Sequence, residues 1–156
     1  MADVNLFGED WDGGRERPGW QWKRLGVAER LGAEKIGASL YELAPGQRTF
    51  PYHWQALEEE WLIVLTGTPV LRDPSGERTL QPGDCVVFKR GPEGAHTVRN
   101  DTDEAVRLLM LSSDLDGAAE IAFYPDSGKV GLFGAEFRKL LREDAEVDYF
   151  DGEDWR

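Results

Sequence analysis

Short apolar runs separated by turn signals recur through the middle of this sequence and leave few folds open to it. Runs such as Trp61–Leu65 and Cys85–Phe88 alternate with turn signals at Pro45-Gly46, Asp73–Gly76 and Pro82–Asp84. Proline presets φ for a turn and glycine tolerates positive φ, so these positions interrupt regular structure. Because no helical pattern lies between the runs, the sequence predicts an antiparallel, all-β sandwich or barrel.

The predicted strands occupy the middle of the chain. The run Ile36–Ala44 has β-type residues and ends at a Pro-Gly turn, so we expect the barrel over residues 36–113. Residues 1–35 carry three tryptophans among glycines, prolines and charges, which indicates an extended N-terminal arm that packs through its rings. The length of 156 residues is close to the roughly 150 residues of one domain, so a single domain is predicted.

The remaining segment, residues 114–156, is predicted to be a C-terminal extension. Phe137, Leu140 and Leu141 have helical spacing, and Gly134 lies just before them, so a short helix is expected at about 135–142. The residues after this helix are rich in Asp and Glu and form an acidic tail.

Charge and cysteine content exclude several classes of function. The formal net charge is -12 and no stretch concentrates Lys and Arg, so neither nucleic-acid binding nor membrane-surface binding is expected. Cys85 is the single cysteine, which excludes an intramolecular disulfide and a multi-cysteine metal site. No apolar run approaches the roughly 18 residues of a membrane span, and Met1–Asp12 does not resemble a signal peptide. These features predict a cytoplasmic protein.

The chain contains two histidines, His53 and His96, and each lies in a turn-rich segment beside a predicted strand. In an extended chain alternate side chains share a face, so His53 and Gln55 are expected to point the same way. Glu60 follows shortly afterwards, at the start of the run that ends at Gly67. An imidazole, an amide oxygen and a carboxylate are therefore predicted to meet.

The spacing of these residues resembles the two sequence motifs of the cupin family. Glu60 and Gly67 are seven positions apart, as the glutamate and glycine of the first cupin motif are. The second motif is similar to the segment formed by Pro82–Asp84, Gly91 and His96, with Asn100 four residues after the histidine. The resemblance covers residues 36–113.

This resemblance implies a double-stranded β-helix of the jelly-roll type with a divalent metal in the barrel. By position, the metal ligands would be His53, Glu60 and His96, and the fourth position holds Gln55 where the family usually has histidine. Two neutral imidazoles and one carboxylate suit Zn²⁺, Fe²⁺, Mn²⁺ or Ni²⁺ and leave positions open for water and substrate. Gln55 would either ligate weakly through its amide oxygen or hydrogen-bond a metal-bound group.

Other side chains are weaker candidates. Tyr52, Lys89 and Arg90 are considered for substrate binding, with Lys89 or Arg90 orienting an anionic group. The competing interpretation of the aromatics Tyr52, Trp54 and Trp61 is core packing, which is favoured for large rings in strands. Cys85 is expected to act as a small buried hydrophobe.

The sequence thus predicts a cupin-type protein that binds or transforms a small oxygen-bearing molecule, such as a hydroxy acid, a keto acid or a sugar derivative. An oxygenase, isomerase or lyase that uses the metal as a Lewis acid fits this prediction. The alternative is a metal-free ligand-binding or interaction module with a degenerate site. A homodimer is also expected, because a tryptophan-bearing arm beside exposed strand edges favours self-association.

Overall fold

The computed structural model describes residues 3–113 and 119–153. The first strands in chain order are β1 (Gly13–Arg17), β2 (Trp20–Gly26), β3 (Ile36–Leu43), β4 (Trp54–Gln55), β5 (Glu60–Thr66), β6 (Val70–Asp73) and β7 (Gly76–Thr79). They are followed by β8 (Cys85–Phe88), β9 (Thr97–Arg99), β10 (Val106–Ser113), β11 (Glu120–Tyr124), β12 (Lys129–Gly134) and β13 (Phe137–Arg142). One helix, α1 (Val27–Leu31), separates β2 from β3. None of the helices in the described ranges is long and apolar enough to cross a membrane.

The strands form three antiparallel sheets. A six-stranded sheet has the order β1-β2-β3-β10-β5-β8, a four-stranded sheet β13-β12-β11-β4, and a three-stranded sheet β7-β6-β9. The all-β prediction is therefore confirmed. Over the described residues the sheets do not join into one closed barrel, but their arrangement is consistent with a jelly roll.

The main core lies between the six-stranded and three-stranded sheets. Alternate residues of β3, β5 and β10 point into it, as the period of two along a strand requires. The fully buried members include Leu43, Leu62, Leu108, Leu71 and Val98. Leu71 and Val98 come from β6 and β9, so the two sheets share this core. It supports the strands that carry the candidate site.

The N-terminal segment that was predicted to be an extended arm forms two strands, and its first residues cover one face of the six-stranded sheet. Residues 13–26 form the β1–β2 hairpin at one edge of the six-stranded sheet. Before the hairpin, Val4, Leu6 and Trp11 pack against the outer face of the sheet, over the buried residues Leu25 and Leu40. The predicted packing of the arm through its tryptophan rings is therefore seen for Trp11, which packs against the sheet of its own chain.

The predicted C-terminal helix is wrong, because residues 137–142 form strand β13. Gly134 pairs with Phe137 across a tight turn, and the pairing continues to Lys129 opposite Arg142. Pairing with β12 provides backbone partners that a local helical preference does not outweigh. The acidic tail is exposed as far as the structure describes it, and residues 154–156 lie outside the described residues.

The expected burial of Cys85 and Trp61 is also wrong. Strand β8 is an edge of its sheet, and Cys85 lies exposed at the start of it. Trp61 is 43% exposed on the outer face of β5, opposite Val87. Trp54, by contrast, is half-buried and stacks on Phe123 at a ring-centroid distance of 4.0 Å.

Candidate metal centre

A reciprocal backbone bridge holds the two histidines side by side. The N–H of His53 donates to the carbonyl of His96 at 3.2 Å, and the N–H of His96 donates to the carbonyl of His53 at 2.8 Å. This bridge lies outside the strands and brings together the loops before β4 and β9. Both histidines are buried.

Each imidazole is oriented by the carbonyl of the residue two positions earlier. His53 Nδ1 lies 2.9 Å from the carbonyl oxygen of Pro51, and His96 Nδ1 lies 2.9 Å from that of Gly94. A carbonyl oxygen accepts hydrogen bonds, so both Nδ1 atoms carry the proton. Each Nε2 therefore presents its lone pair. The His96 ring also stacks on Phe88 at 3.6 Å, which fixes its plane.

Glu60, the first residue of β5, directs its carboxylate at these two lone pairs. Its Oε2 lies 3.4 Å from His96 Nε2 and 3.9 Å from His53 Nε2. The ligand atoms of the three residues all lie within 4.8 Å of one another. The structure thus brings together the three residues that the sequence motifs predicted as metal ligands.

Burial shifts the protonation of all three groups. It lowers the pKa of His53, and together with the neighbouring His53 it lowers the pKa of His96 to about 3. Both imidazoles are consequently neutral at pH 7, and neither forms an ion pair with the glutamate. Burial also raises the pKa of Glu60 to about 7, although a hydrogen bond from Gln55 opposes that shift.

The same residues leave buried polar atoms without hydrogen-bond partners. Among the described residues, His96 Nε2, Glu60 Oε2 and Gln55 Oε1 have no partner. Three buried acceptors beside one another are unfavourable unless a donor or a cation lies among them. Two neutral imidazoles, a carboxylate and an amide oxygen are ligands suited to a divalent transition metal. The residues present therefore fit the predicted metal.

Two cavities border this centre. The first has a volume of about 490 Å³ and is lined by His53, Gln55 and Glu60 together with Tyr41 and Arg24. The second, of about 290 Å³, is lined by His53 and Gln55 together with Glu120 and Tyr124. A small molecule in either cavity would lie against the candidate ligands.

Comparison with protein families identifies the central part of the chain. The Cupin domain model Cupin_2 matches residues 39–112. These residues form a cupin domain. No curated protein sequence matches the chain significantly.

Several solved structures resemble more of the chain than residues 39–112. A protein from Silicibacter pomeroyi, described as a sugar phosphate isomerase from a cupin superfamily, is 25% identical with a TM-score of 0.81, and the alignment covers 96% of this chain and 98% of that one. A candidate sugar phosphate isomerase from Acidithiobacillus ferrooxidans is 24% identical with a TM-score of 0.78 over 88% of each chain. The oxalate decarboxylase of Bacillus subtilis, described with Mn(II) centres, is 21% identical with a TM-score of 0.53, over 70% of this chain and 29% of that one.

The weaker sequence candidates line neither of the two cavities. Tyr52 packs beneath Arg72, whose guanidinium carbon is 4.0 Å from the ring centroid. Lys89 and Arg90 are exposed and line neither cavity of the cupin domain. The substrate-binding role of these three residues stays a prediction.

Two residues that were not predicted from the sequence, Arg24 and Tyr41, also line the first cavity. Arg24 donates from Nε to the Ser39 hydroxyl at 3.0 Å and also pairs with Glu29. Tyr41 is buried beside Arg24, and burial raises the pKa of its phenol. Both lie outside the motif segments, on β2 and β3, and only the folded sheet brings them to the metal centre.

Glu120 at the start of β11 is a further unpredicted residue, and it lines the second cavity. Its Oε1 accepts hydrogen bonds at 2.8 to 3.3 Å from the backbone N–H groups of Ile121, Ala56 and Leu57. Its Oε2 is buried and has no partner among the described residues. No spacing links Glu120 to the cupin motifs, so sequence reasoning had no signal for it.

Proposed function

We propose that the chain is a divalent-metal-dependent enzyme that acts on a small oxygen-bearing molecule, with a sugar derivative as the leading substrate class. The observation that carries this proposal is the convergence of His53, Glu60 and His96 beside a cavity that His53 and Glu60 line. Among the described residues, Glu60 Oε2 and His96 Nε2 are buried without a hydrogen-bond partner. A structural role alone would not require buried acceptors to face one another.

A metal at this centre would supply Lewis acidity toward a carbonyl or hydroxyl oxygen. The protein groups around it have separate tasks. His53 and His96 offer neutral ligand atoms, because Pro51 and Gly94 hold the proton on Nδ1. Gln55 donates to Glu60 and thereby favours the ionised carboxylate that a metal needs.

The charge around the second cavity favours a neutral polyol end over a hydroxy or keto acid. Glu58, Glu60 and Glu120 lie at or beside this cavity and would repel a carboxylate. The buried acceptors Gln55 Oε1 and Glu120 Oε2 complement hydroxyl donors instead. The name of the Silicibacter pomeroyi structure supports isomerisation of a sugar derivative as the first reaction to test.

Metal content and proton exchange test the proposal. Protein purified without a metal-affinity tag, or reconstituted with Fe²⁺, Mn²⁺, Ni²⁺ or Zn²⁺, should hold close to one metal per chain by elemental analysis. The loaded protein should exchange the hydrogen next to the carbonyl of an aldose or ketose with D₂O, as followed by NMR. Glu60→Gln keeps the shape of the side chain and should lose both properties.

A different outcome supports the alternative, a metal-free binding or interaction module. Absence of metal after reconstitution with all four ions would remove the basis of the enzymatic proposal. Exchange that is equally fast in the wild type and in Glu60→Gln would show that contaminating activity, and not this centre, is responsible.

We also propose that the chain forms a homodimer through an apolar stripe on the outer face of the six-stranded sheet. Val87, Trp61 and Leu111 are direct neighbours across β8, β5 and β10. Trp61 and Val87 are each more than 40% exposed, and they lie beside the unpaired edge of β8. Exposed apolar side chains at a sheet edge favour association with a second copy.

A further inference from the structure

A third cavity, lined by none of the three candidate metal ligands, collects four cationic side chains. This basic cleft has a volume of about 330 Å³ and is lined by Arg15, Arg17, Arg48 and Lys129. Arg15 and Arg17 are alternate residues of β1 and therefore share one face of that strand. Arg48 comes from the loop after β3, and Lys129 begins β12. Three distant segments thus bring positive charge to one place.

All four cations of this cleft lack a carboxylate partner, although six arginines in the described residues have one. Across residues 3–113 and 119–153, none of the four forms an ion pair with an acidic side chain. The arginines that do form such pairs are Arg24, Arg30, Arg72, Arg78, Arg99 and Arg107. In a chain with a net charge of -12, unpaired cations are not explained by a shortage of acidic residues. Their charge is available to a ligand.

Aromatic rings orient three of the four cations without neutralising them. The guanidinium carbon of Arg15 lies 5.1 Å from the Trp22 ring centroid, and that of Arg48 lies 5.9 Å from the Trp20 centroid. Lys129 Nζ lies 5.4 Å from the centroid of Tyr124. Cation–π contacts of this kind restrict the side chains while leaving their hydrogen-bond donors free.

The remaining polar groups of the basic cleft also favour an anion. Asp126 lines the cleft, but Arg72 already binds it with two hydrogen bonds of 2.6 and 2.9 Å. Ser127 lies next to it, and its buried hydroxyl has no partner among the described residues. The negative charge of Asp126 is thus balanced by Arg72, which does not line the cleft, and the Ser127 hydroxyl remains available to donate a hydrogen bond to a ligand.

From these contacts we infer that the basic cleft binds the phosphate group of a small phosphorylated molecule. Guanidinium groups match phosphate oxygens with paired donors, and a lysine adds a point charge. The cavity is at the lower end of the roughly 300–1,000 Å³ found for small-molecule sites, which excludes a large ligand.

The basic cleft shares walls with the metal centre. Pro51 lines it, and the carbonyl of the same residue orients His53. Tyr124 has Lys129 on its ring and stacks on His53 at 5.7 Å. The inference rests on the proposed function only in making the substrate a sugar phosphate; the anion site itself is argued from the residues of the cleft.

Calorimetric titration of the metal-free, full-length protein tests this inference. The probes are inorganic phosphate, glucose 6-phosphate and glucose, in a phosphate-free buffer of low ionic strength. Both phosphates should bind and glucose should not. Arg48→Gln and Lys129→Gln should each weaken phosphate binding about tenfold, because each removes a charged hydrogen-bond donor.

Lys139→Gln is the matched control, since it makes the same charge change on the same hairpin at an exposed position outside the cleft. It should alter the affinity less than about twofold. Failure of both phosphates to bind, or equal effects of Lys129→Gln and Lys139→Gln, would overturn the inference. Tighter binding of glucose 6-phosphate than of phosphate assigns a phosphate ester as the ligand, and equal binding assigns the free ion.

Glu60→Gln separates this inference from the proposed function. The substitution removes a metal ligand but leaves the basic cleft unchanged, so phosphate affinity should be retained. A loss of phosphate binding in metal-free Glu60→Gln would mean that the titration reports the metal centre, and the cleft would not be the anion site.

Discussion

The Gln55 amide determines how strongly the centre can hold a metal. Its oxygen is buried without a partner, but an amide oxygen is a weaker ligand for later transition metals than imidazole. Gln55→His should therefore tighten binding of Zn²⁺ or Ni²⁺ by at least about tenfold, measured by competition with a chelator.

Gln55→Ala is the control, because it removes the amide without supplying a ligand. It should weaken metal binding, since it also removes the hydrogen bond to Glu60. If Gln55→His and Gln55→Ala have the same affinity as the wild type, residue 55 does not contact the metal.

Glu60 should make the metal-free protein less stable as the pH rises. Its folded pKa of about 7 lies above the ordinary 4.5, so between these values the folded state binds more protons than the unfolded state. The free energy of unfolding then falls with rising pH, by about 3 kcal/mol in total. Glu60→Gln should lack this loss, as measured by urea unfolding in EDTA at pH 4.5 and pH 8.

The comparison with Glu60→Gln isolates the carboxyl group, because both proteins retain the two buried histidines. The stability advantage of the variant should be small at pH 4.5 and large at pH 8. An advantage that stays constant over this range would contradict the raised pKa of Glu60.

Single residues were predictable where a motif fixed their spacing. Glu60 was identified by its seven-position distance to Gly67, and in the structure its carboxylate lies near both histidines. Arg24 and Glu120 were not predictable, because β2 and β11 meet the centre only through sheet pairing and loop closure. Such long-range contacts leave no local pattern in the sequence.

At the level of whole elements, the central strands were predictable and the C-terminal hairpin was not. Alternation and turn residues defined β3, β5 and β8 within a few positions. The spacing of Phe137, Leu140 and Leu141 fits a helix, yet all residues of β13 are exposed and paired with β12. A strand that is stabilised mainly by pairing with a neighbouring strand has little hydrophobic pattern in its own sequence from which it could be predicted.

The N-terminal segment is anchored to the sheet by Arg107 of β10. Its guanidinium donates to Glu42 at 2.7 Å and to the carbonyl of Gly8 at 2.9 Å, and it also contacts Glu9. Its side chain is only 11% exposed. Arg107→Gln should lower the free energy of unfolding by about 2 to 3 kcal/mol and speed cleavage after Glu9 by a glutamate-specific protease.

Arg78→Gln provides the comparison at the surface. Arg78 pairs with Asp73 on the β6–β7 hairpin, but its side chain is 44% exposed. Exposed pairs contribute about 0 to 1 kcal/mol, so this variant should be nearly as stable as the wild type. Equal destabilisation by the two substitutions would show that Arg107 does not anchor the segment.

For the molecule as a whole, the apolar stripe predicts a dimer. Light scattering should give twice the chain mass at micromolar concentration, and Trp61→Glu should give the monomer mass, because a charge in a buried interface is costly. Phe137→Glu changes a similarly exposed ring, 45% against 43%, on another sheet and should remain dimeric. A monomeric wild type, or dissociation only by Phe137→Glu, would contradict the proposed interface.

The reciprocal bridge between His53 and His96 has a consequence for hydrogen exchange. Opening of either loop breaks both backbone bonds and separates the imidazoles in one event, so these two amide protons exchange through the state in which the centre is dismantled. A metal that binds only the closed state should slow both exchange rates by the factor 1 + [M]/Kd. The exchange rates of the His53 and His96 backbone N–H groups, followed by NMR, would then report the metal occupancy without any substrate.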